Sequence, residues 1–437
     1  MPEILKTKKF YIISMLILLC LTAGYFLLCQ MASQQASELF RREMNKQRVL
    51  LGSVSADTVQ ADLFGNVELS NLVWLDKKGE PVLHIPHARL KVSTWDIIMG
   101  RAGLNTLQRI ELDDAVISLS FNERMQMDVL TAPKAHTDIV KQAAEQHNLD
   151  LRGKMPNLTV ALHNCTLNVL QQKRYFVLNQ VQAEIVSKAD DFVKINFETG
   201  LFGGTIVGDK LKLTGQMDIS QADPKLNFNL SMYKIVPASL GLGNIQNTAD
   251  VFTEFKGTLQ HPVADGALRF ETLDLPALHF SKVNGNLHYE SGKVDFTDVS
   301  GSIYGGTVDA FGWYELDNRH YSIDLKGHDL LASIAARSRK INCRVELDLK
   351  MRSEGRADTV HTYGSFKSGP GSYMLIPFES ISGTFDDRNK VLAFRNVVIK
   401  TDFGNVVTDG FKLIDGKLYI EDVFLEAPDG SEKIKVR

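Results

Sequence analysis

The sequence predicts a mainly β protein with an N-terminal transmembrane helix, a long antiparallel β-sheet after it, and a few short helices. Three observations predict this. Phe10 to Gln30 is an uncharged, mostly apolar run; from Gly52 onward apolar and polar residues alternate with period two; and an aromatic–glycine step recurs four times.

The run FYIISMLILLCLTAGYFLLCQ, Phe10 to Gln30, holds 21 residues. At 1.5 Å per residue a helix of this length spans about 30 Å, the thickness of a bilayer's hydrocarbon core. Lys6, Lys8 and Lys9 precede it. Residues 1–9 are therefore expected as a cytoplasmic tail, 10–30 as a single-pass anchor, and everything beyond as exported. Ala32 and Ser33 would suit a cleaved signal peptide, but a signal's apolar region is usually only about 7–15 residues, which favours an uncleaved anchor. Cys20 and Cys29 each follow Leu-Leu, which does not fit lipidation, and read as apolar fillers of the anchor.

Residues 31–51 carry Leu39, Met44, Val49 and Leu50 among Glu38, Arg41, Arg42, Glu43, Lys46 and Arg48, the pattern of a helix leaving the membrane. Alternation then takes over. Leu211, Leu213, Met217 and Ile219 oppose Lys212, Thr214, Gln216 and Asp218. Leu226, Phe228, Leu230 and Met232 alternate with Asn227, Asn229 and Ser231; Cys343, Val345, Leu347, Leu349 and Met351 alternate with Arg344, Glu346, Asp348 and Lys350. Such strands have one apolar and one wet face, which favours antiparallel pairing. Exported helices are expected only at Thr94–Met99, Ala132–Leu149 and Asp329–Arg337. The resulting division is a β segment over 52–125, a helical insertion over 126–152 and β repeats over 153–437.

The repeats centre on Phe64-Gly65, Phe202-Gly203-Gly204, Tyr304-Gly305-Gly306 and Phe403-Gly404, read as turns in which glycine tolerates positive φ. Phe202 to Tyr304 is 102 residues and Tyr304 to Phe403 is 99. SKVNGNLHYESGKVDFTDV from Ser281 also matches ESISGTFDDRNKVLAFRNV from Glu379.

Lys plus Arg is 49 and Asp plus Glu 52, a net charge of −3 that provides no basic footprint for nucleic acid. Hydrophobic residues at 44% and charged residues at 23% exclude bulk disorder. Four cysteines are too few for a disulfide scaffold; Cys165 and Cys343 are expected as buried free thiols on apolar strand faces, with pairing as the alternative.

Ala61 to Asn122 reads ADLFGNVELSNLVWLDKKGEPVLHIPHARLKVSTWDIIMGRAGLNTLQRIELDDAVISLSFN. Its order of Gly-led strand, polar turn, strand, short helix and strand resembles the opening of the AsmA-like family of bacterial envelope proteins, which includes AsmA and TamB. Gly-Gly-Thr followed by a strand, and Tyr321 to Gly355, are similar to that family too. The family is defined by pattern and not by invariant catalytic residues, and this chain is short for it, with few and diverged repeats. The resemblance implies an inner-membrane-anchored periplasmic protein whose strands curl into a long, taco-like groove that carries phospholipid between the inner and outer membranes and supports outer-membrane biogenesis. In one branch it also implies outer-membrane protein assembly, with envelope proteins as partners.

Moving a two-chain lipid through water exposes its tails at about 0.8 kcal/mol per CH₂, on the order of 25 kcal/mol for two chains of roughly 16 carbons. Continuous apolar shielding is therefore required. The candidate lining is Leu211, Leu213, Leu226, Phe228, Leu230, Met232, Val345, Leu347, Leu349 and Met351. Roughly 25 strands at ~4.8 Å would extend a single sheet by about 120 Å.

No chemistry-bearing motif competes. GxSxG, a P-loop lysine, HExxH and a helix-opening GxGxxG are all missing, so no enzyme, cofactor or metal site is expected. His84 and His87 flank Ile85-Pro86 without a third ligand and are placed on opposite strand faces or in a proline turn. His136 and His147 lie 11 apart with no partner at i+4. Asp113-Asp114 and Asp386-Asp387 read as solvated turn carboxylates.

Overall fold

A computed structural model describes residues 22–38, 40–41, 52–99, 106–121, 156–171, 174–188, 191–240, 245–275, 278–388, 391–414, 417–427 and 431–436. The chain is mainly β and divides into two compact units, Met1–Phe228 and Asn229–Arg437.

In the first unit, residues 22–38 are helical (α1). Ser33 Oγ accepts the Ala61 N–H at 2.8 Å and returns a bond to the Ala61 carbonyl at 3.1 Å, and the Tyr25 and Phe64 rings lie 6.4 Å apart. Among the described residues no helix is long and apolar enough to cross a membrane. Residues 10–21 of the expected anchor, and the expected helix Ala132–Leu149 with His136 and His147, lie outside the described residues.

β1 (Ser53–Ser55) and β2 (Thr58–Ala61) both pair with β3 (Asn66–Leu75), which pairs with β4 (Pro81–Val92). The short helix α2 (Thr94–Ile98) follows, as expected. β4 then meets β5 (Leu107–Asp113) and β6 (Val116–Phe121) in succession. β7 (Leu158–Gln171) runs parallel to both, a departure from the all-antiparallel expectation. The sequence between Phe121 and Leu158 is long enough for the crossover connection that parallel pairing needs. β8 (Arg174–Ser187) follows antiparallel and receives β9 (Phe192–Thr199) and β10 (Phe202–Gly204); β11 (Lys210–Asp218) pairs with β9. β12 (Lys225–Ile235) contains the boundary between the units, so no linker separates them in sequence.

The second unit is a meander. Its strands are β13 (Ala249–Gly257), β14 (Pro262–Leu275), β15 (Leu278–Glu290), β16 (Lys293–Ile303), β17 (Gly306–Glu315), β18 (His320–Leu331), β19 (Ile341–Asn342), β20 (Arg344–Glu354) and β21 (His361–Ser368). After them come β22 (Gly371–Tyr373), β23 (Ile376–Phe378), β24 (Ser380–Arg388), β25 (Val391–Thr401), β26 (Gly404–Ile414), β27 (Lys417–Ile420), β28 (Val423–Glu426) and β29 (Lys433–Lys435). The main ladder runs antiparallel from β13 to β18, then through β20, β21, β24, β25 and β26, which pairs with both β27 and β28. β19, β22 and β23 form a separate three-stranded sheet. The helix expected over Asp329–Arg337 is only α3 (Ala332–Ala335), because Asp329 to Leu331 complete β18.

The repeated segments match in three dimensions. Gly285 faces Val299, and Gly383 faces Val397; an added Cβ would lie 2.7 Å and 3.0 Å from the respective valine Cγ2 atoms. The residue before each valine, Asp298 (φ 50°) or Asn396 (φ 53°), is a left-handed bulge. The aromatic–glycine steps are less uniform than expected. Tyr304-Gly305 is a two-residue hairpin loop with both residues at positive φ, Asp402-Phe403 is another loop, and Gly65 (φ 83°) closes the β2–β3 turn. Phe202-Gly203-Gly204, expected as a turn, is instead strand β10 on β8, with Phe202 buried against Leu178.

Left-handed residues interrupt many of the strands, Asn71, Asn164 and Gln180 in the first unit and Lys282, Asp298, Asp329 and Asn396 in the second, and left-handed Asp114 lies between β5 and β6. Each non-glycine αL residue is unfavourable alone, and a mid-strand bulge sharpens the local twist. Side chains hold several of them: Asn71 Nδ2 donates to Asp57 at 2.9 Å, Asn286 Nδ2 to Asp298 at 3.1 Å, and the Asp329 N–H to Glu346 at 3.0 Å.

Candidate functional site

Each unit has a sheet face covered by apolar side chains in register. In the first, Val59, Leu69, Ala88, Leu112, Leu162, Ala183, Phe197 and Leu213 are successive partners across β2, β3, β4, β5, β7, β8, β9 and β11. Seven of these eight residues, Val59 through Phe197 in the row, belong to one hydrophobic cluster. The alternate positions are polar: Arg89 pairs with Glu111 and Asp113 at 3.2 Å, and Arg109 with Glu111 at 2.7 Å. The Arg109 hydrogen bond, against a smaller opposing effect of burial, holds the Glu111 carboxyl below its ordinary range.

The second unit repeats the arrangement. Leu325, Leu349, Gly364, Phe385, Phe394 and Phe411 form one row from β18 to β26. Phe394 stacks on Phe411 at 4.5 Å and meets Phe366 edge-on at 6.0 Å. The opposite face again carries polar and charged contacts, the Arg352–Asp324 ion pair at 2.9 Å and the His328–Glu346 hydrogen bond at 2.7 Å among them.

Six of the expected lining residues sit on these striped strands, Leu211 and Leu213 on β11 and Val345, Leu347, Leu349 and Met351 on β20, while Leu226, Phe228, Leu230 and Met232 lie on β12. Leu211, Leu213, Leu226, Leu230, Met232, Val345, Leu347 and Met351 are half-buried. Phe228 at 7% exposure and Leu349 at 5% are enclosed instead. Phe228 packs over Gly215, which has no Cβ to obstruct it, so Phe228 is a packing residue. Sequence reading missed the aromatic row of Phe366, Phe385, Phe394 and Phe411. The alternation around Phe394 held the signal, but the bulge at Asn396 breaks it.

The neighbouring Asp387 was also misread. Asp386 and Asp387 lie within β24, not in a turn: Asp386 bonds His361 at 2.8 Å, while Asp387 falls on the striped side between Thr362 and Leu392. Burial, then the adjacent Asp386 charge, pushes the Asp387 carboxyl up. Asp113 ends β5, and Asp114 is an exposed bend residue at the β5–β6 junction, in line with the turn reading; β4 and β7 continue past both strands. His84 and His87 are both exposed and both belong to β4, paired with Val73 and Ser70 in one unbroken register, so the proline turn does not hold; left-handed Asn71 bonds His84 at 2.9 Å. Among the described residues no cluster of His, Cys, Asp or Glu could hold a metal ion. Cys165 and Cys343 are buried free thiols, and burial raises the pKa of each.

Comparison with protein-family models, with curated proteins and with solved structures finds no match to this chain.

Proposed function

We propose that this chain is a non-enzymatic, inner-membrane-anchored periplasmic protein that shields phospholipid tails against its apolar sheet faces and conducts lipid between the inner and outer membranes. The observation that carries this reading is the half-buried state of the stripe. A face built only as a protein core would close over Leu213, Leu347 and Met351, whereas half-exposed aliphatic side chains aligned across successive strands offer a surface to hydrocarbon. The ion-paired opposite face keeps the other side wet, and the sequence resemblance to AsmA-like proteins points the same way. Passive transfer of this kind needs no catalytic residue, and direction comes from a gradient or from envelope partners.

The alternative is assembly of outer-membrane β-barrels by pairing with an exposed strand edge. β29 is three residues long and has lysines at both ends, Lys433 and Lys435, which blunts that edge.

The test is lipid analysis by mass spectrometry of the detergent-purified full chain. Phospholipid is expected to co-purify and to fall to background in Leu347→Asp and Met351→Asp variants that retain their circular dichroism spectra. Lipid-free wild-type protein, or equal lipid in folded variants, would end the proposal.

A further inference from the structure

The second unit carries an apolar projection that the striped faces do not use. β22 and β23 form a hairpin whose loop is Met374-Leu375. Its base is packed: Phe378 and Cys343 are buried, and Gly371 lies so close to both that a Cβ would meet Cys343 Cβ at 2.6 Å. Its tip is bare. Tyr373, Met374 and Ile376 are exposed, and Leu375 is 96% exposed.

Two features separate this tip from an ordinary surface loop. Met374 has φ 54°, a conformation that two-residue hairpin loops normally give to Gly, Asn or Asp. The sequence thus retains an unbranched apolar side chain where a polar turn residue would be less strained. The second feature is charge. β19 pairs with β22, the Met374 N–H donates to the Lys340 carbonyl at 2.6 Å, and exposed Arg337, Arg339 and Lys340 lead into that strand. Glu379 is the exposed acid at the far end of the hairpin. Apolar residues at a tip with cations beside it match the two layers of an anionic membrane surface, hydrocarbon beneath and negative headgroups above.

We propose that the β22–β23 hairpin is a membrane-docking element that inserts Met374, Leu375 and Ile376 into an anionic bilayer surface while Arg337, Arg339 and Lys340 bind its headgroups. This contact is separate from the N-terminal anchor and does not rest on the lipid-groove reading.

The experiment reconstitutes the full chain in phosphatidylcholine proteoliposomes and measures flotation capture of added fluorescent vesicles. Vesicles containing phosphatidylglycerol are expected to be captured and pure phosphatidylcholine vesicles not. Capture should fall on the order of tenfold or more in Leu375→Asp/Ile376→Asp and in Arg337→Ser/Arg339→Ser/Lys340→Ser. Sheet content by circular dichroism is expected to be unchanged, since all these residues are exposed. Capture indifferent to lipid charge, or to both variants, would refute the docking role. So would loss of chain self-association, seen by ultracentrifugation in detergent, in the Leu375→Asp/Ile376→Asp variant, because the tip would then serve a second copy. Lipid co-purification with the striped face is read separately and can fail without affecting this result.

Discussion

Asn164 Nδ2 donates to Asp114 Oδ1 across 2.6 Å, and both residues have left-handed backbones, with φ of 54° and 55°. The bond joins the bulge of β7 to the break between β5 and β6, in the region where parallel pairing runs past both strands. Backbone bonds from Asp114 N–H to the His163 carbonyl and from Thr166 N–H to the Ala115 carbonyl complete the junction, and Ala115 and Cys165 beside it are fully buried. Asn164→Ala should destabilise the protein by about 1–2 kcal/mol in urea denaturation, through the lost charge-assisted bond. Asn164→Gly should cost less, since glycine accepts the left-handed conformation.

Gly285→Ala tests the paired-repeat geometry. The new methyl meets Val299 Cγ2, with an expected destabilisation of about 1–3 kcal/mol. Val299→Ala in the same chain should recover part of that loss, and a double-mutant cycle in chemical denaturation measures the coupling. Additive effects would show that the two residues do not share the space.

Asp387 sets a pH dependence of definite sign. Its folded pKa lies above the unfolded value near 4, so the native state binds the proton more tightly and stability declines as pH rises through the raised value. Asp387→Asn should flatten the melting temperature against pH above about 4 and raise it at neutral pH. A variant with an unaltered profile would place the carboxyl in ordinary solvent.

Glu111 acts in the opposite direction. Arg109 and Arg89 hold its carboxyl low in the folded state, so its contribution is present above the unfolded pKa and is lost as pH falls through the folded one. Glu111→Gln should lower stability at neutral pH and make the acid limb of the melting curve shallower.

Cys165 and Cys343 should resist alkylation in the folded protein, because burial both covers the thiols and disfavours the reactive thiolate. Mass spectrometry after iodoacetamide treatment should find both sites modified only in denaturant.

Much of the sheet was legible because period-two alternation is a direct imprint of the pleat. Leu347 and Met351 fell on the striped strands for that reason, and α2 was marked by a short run that breaks the alternation. The bulges were not legible. Each adds one residue and inverts the phase of everything beyond it, so the phenylalanine row around Phe394 dissolved into noise; Asp386-Asp387 read as a turn because adjacent carboxylates match turn composition. Parallel pairing of β7 was hidden as well, since the residues that decide it are far apart in sequence. The same alternation could not separate an enclosed Phe228 from a half-open Leu213, because enclosure depends on what lies across the neighbouring strand, here Gly215.

The parallel register of β7 has a consequence for how the chain acquires its shape. β1 to β6 can zip together as each is synthesised, yet the outer edge of β5 and β6 stays bare until Leu158 and its successors are made. During that interval Ile110, Leu112 and Ile117 present unpaired backbone beside apolar side chains, the combination that recruits stray strands. Ribosomal pauses or holding chaperones that cover this window would decide the yield of native protein more than any single contact in the finished sheet.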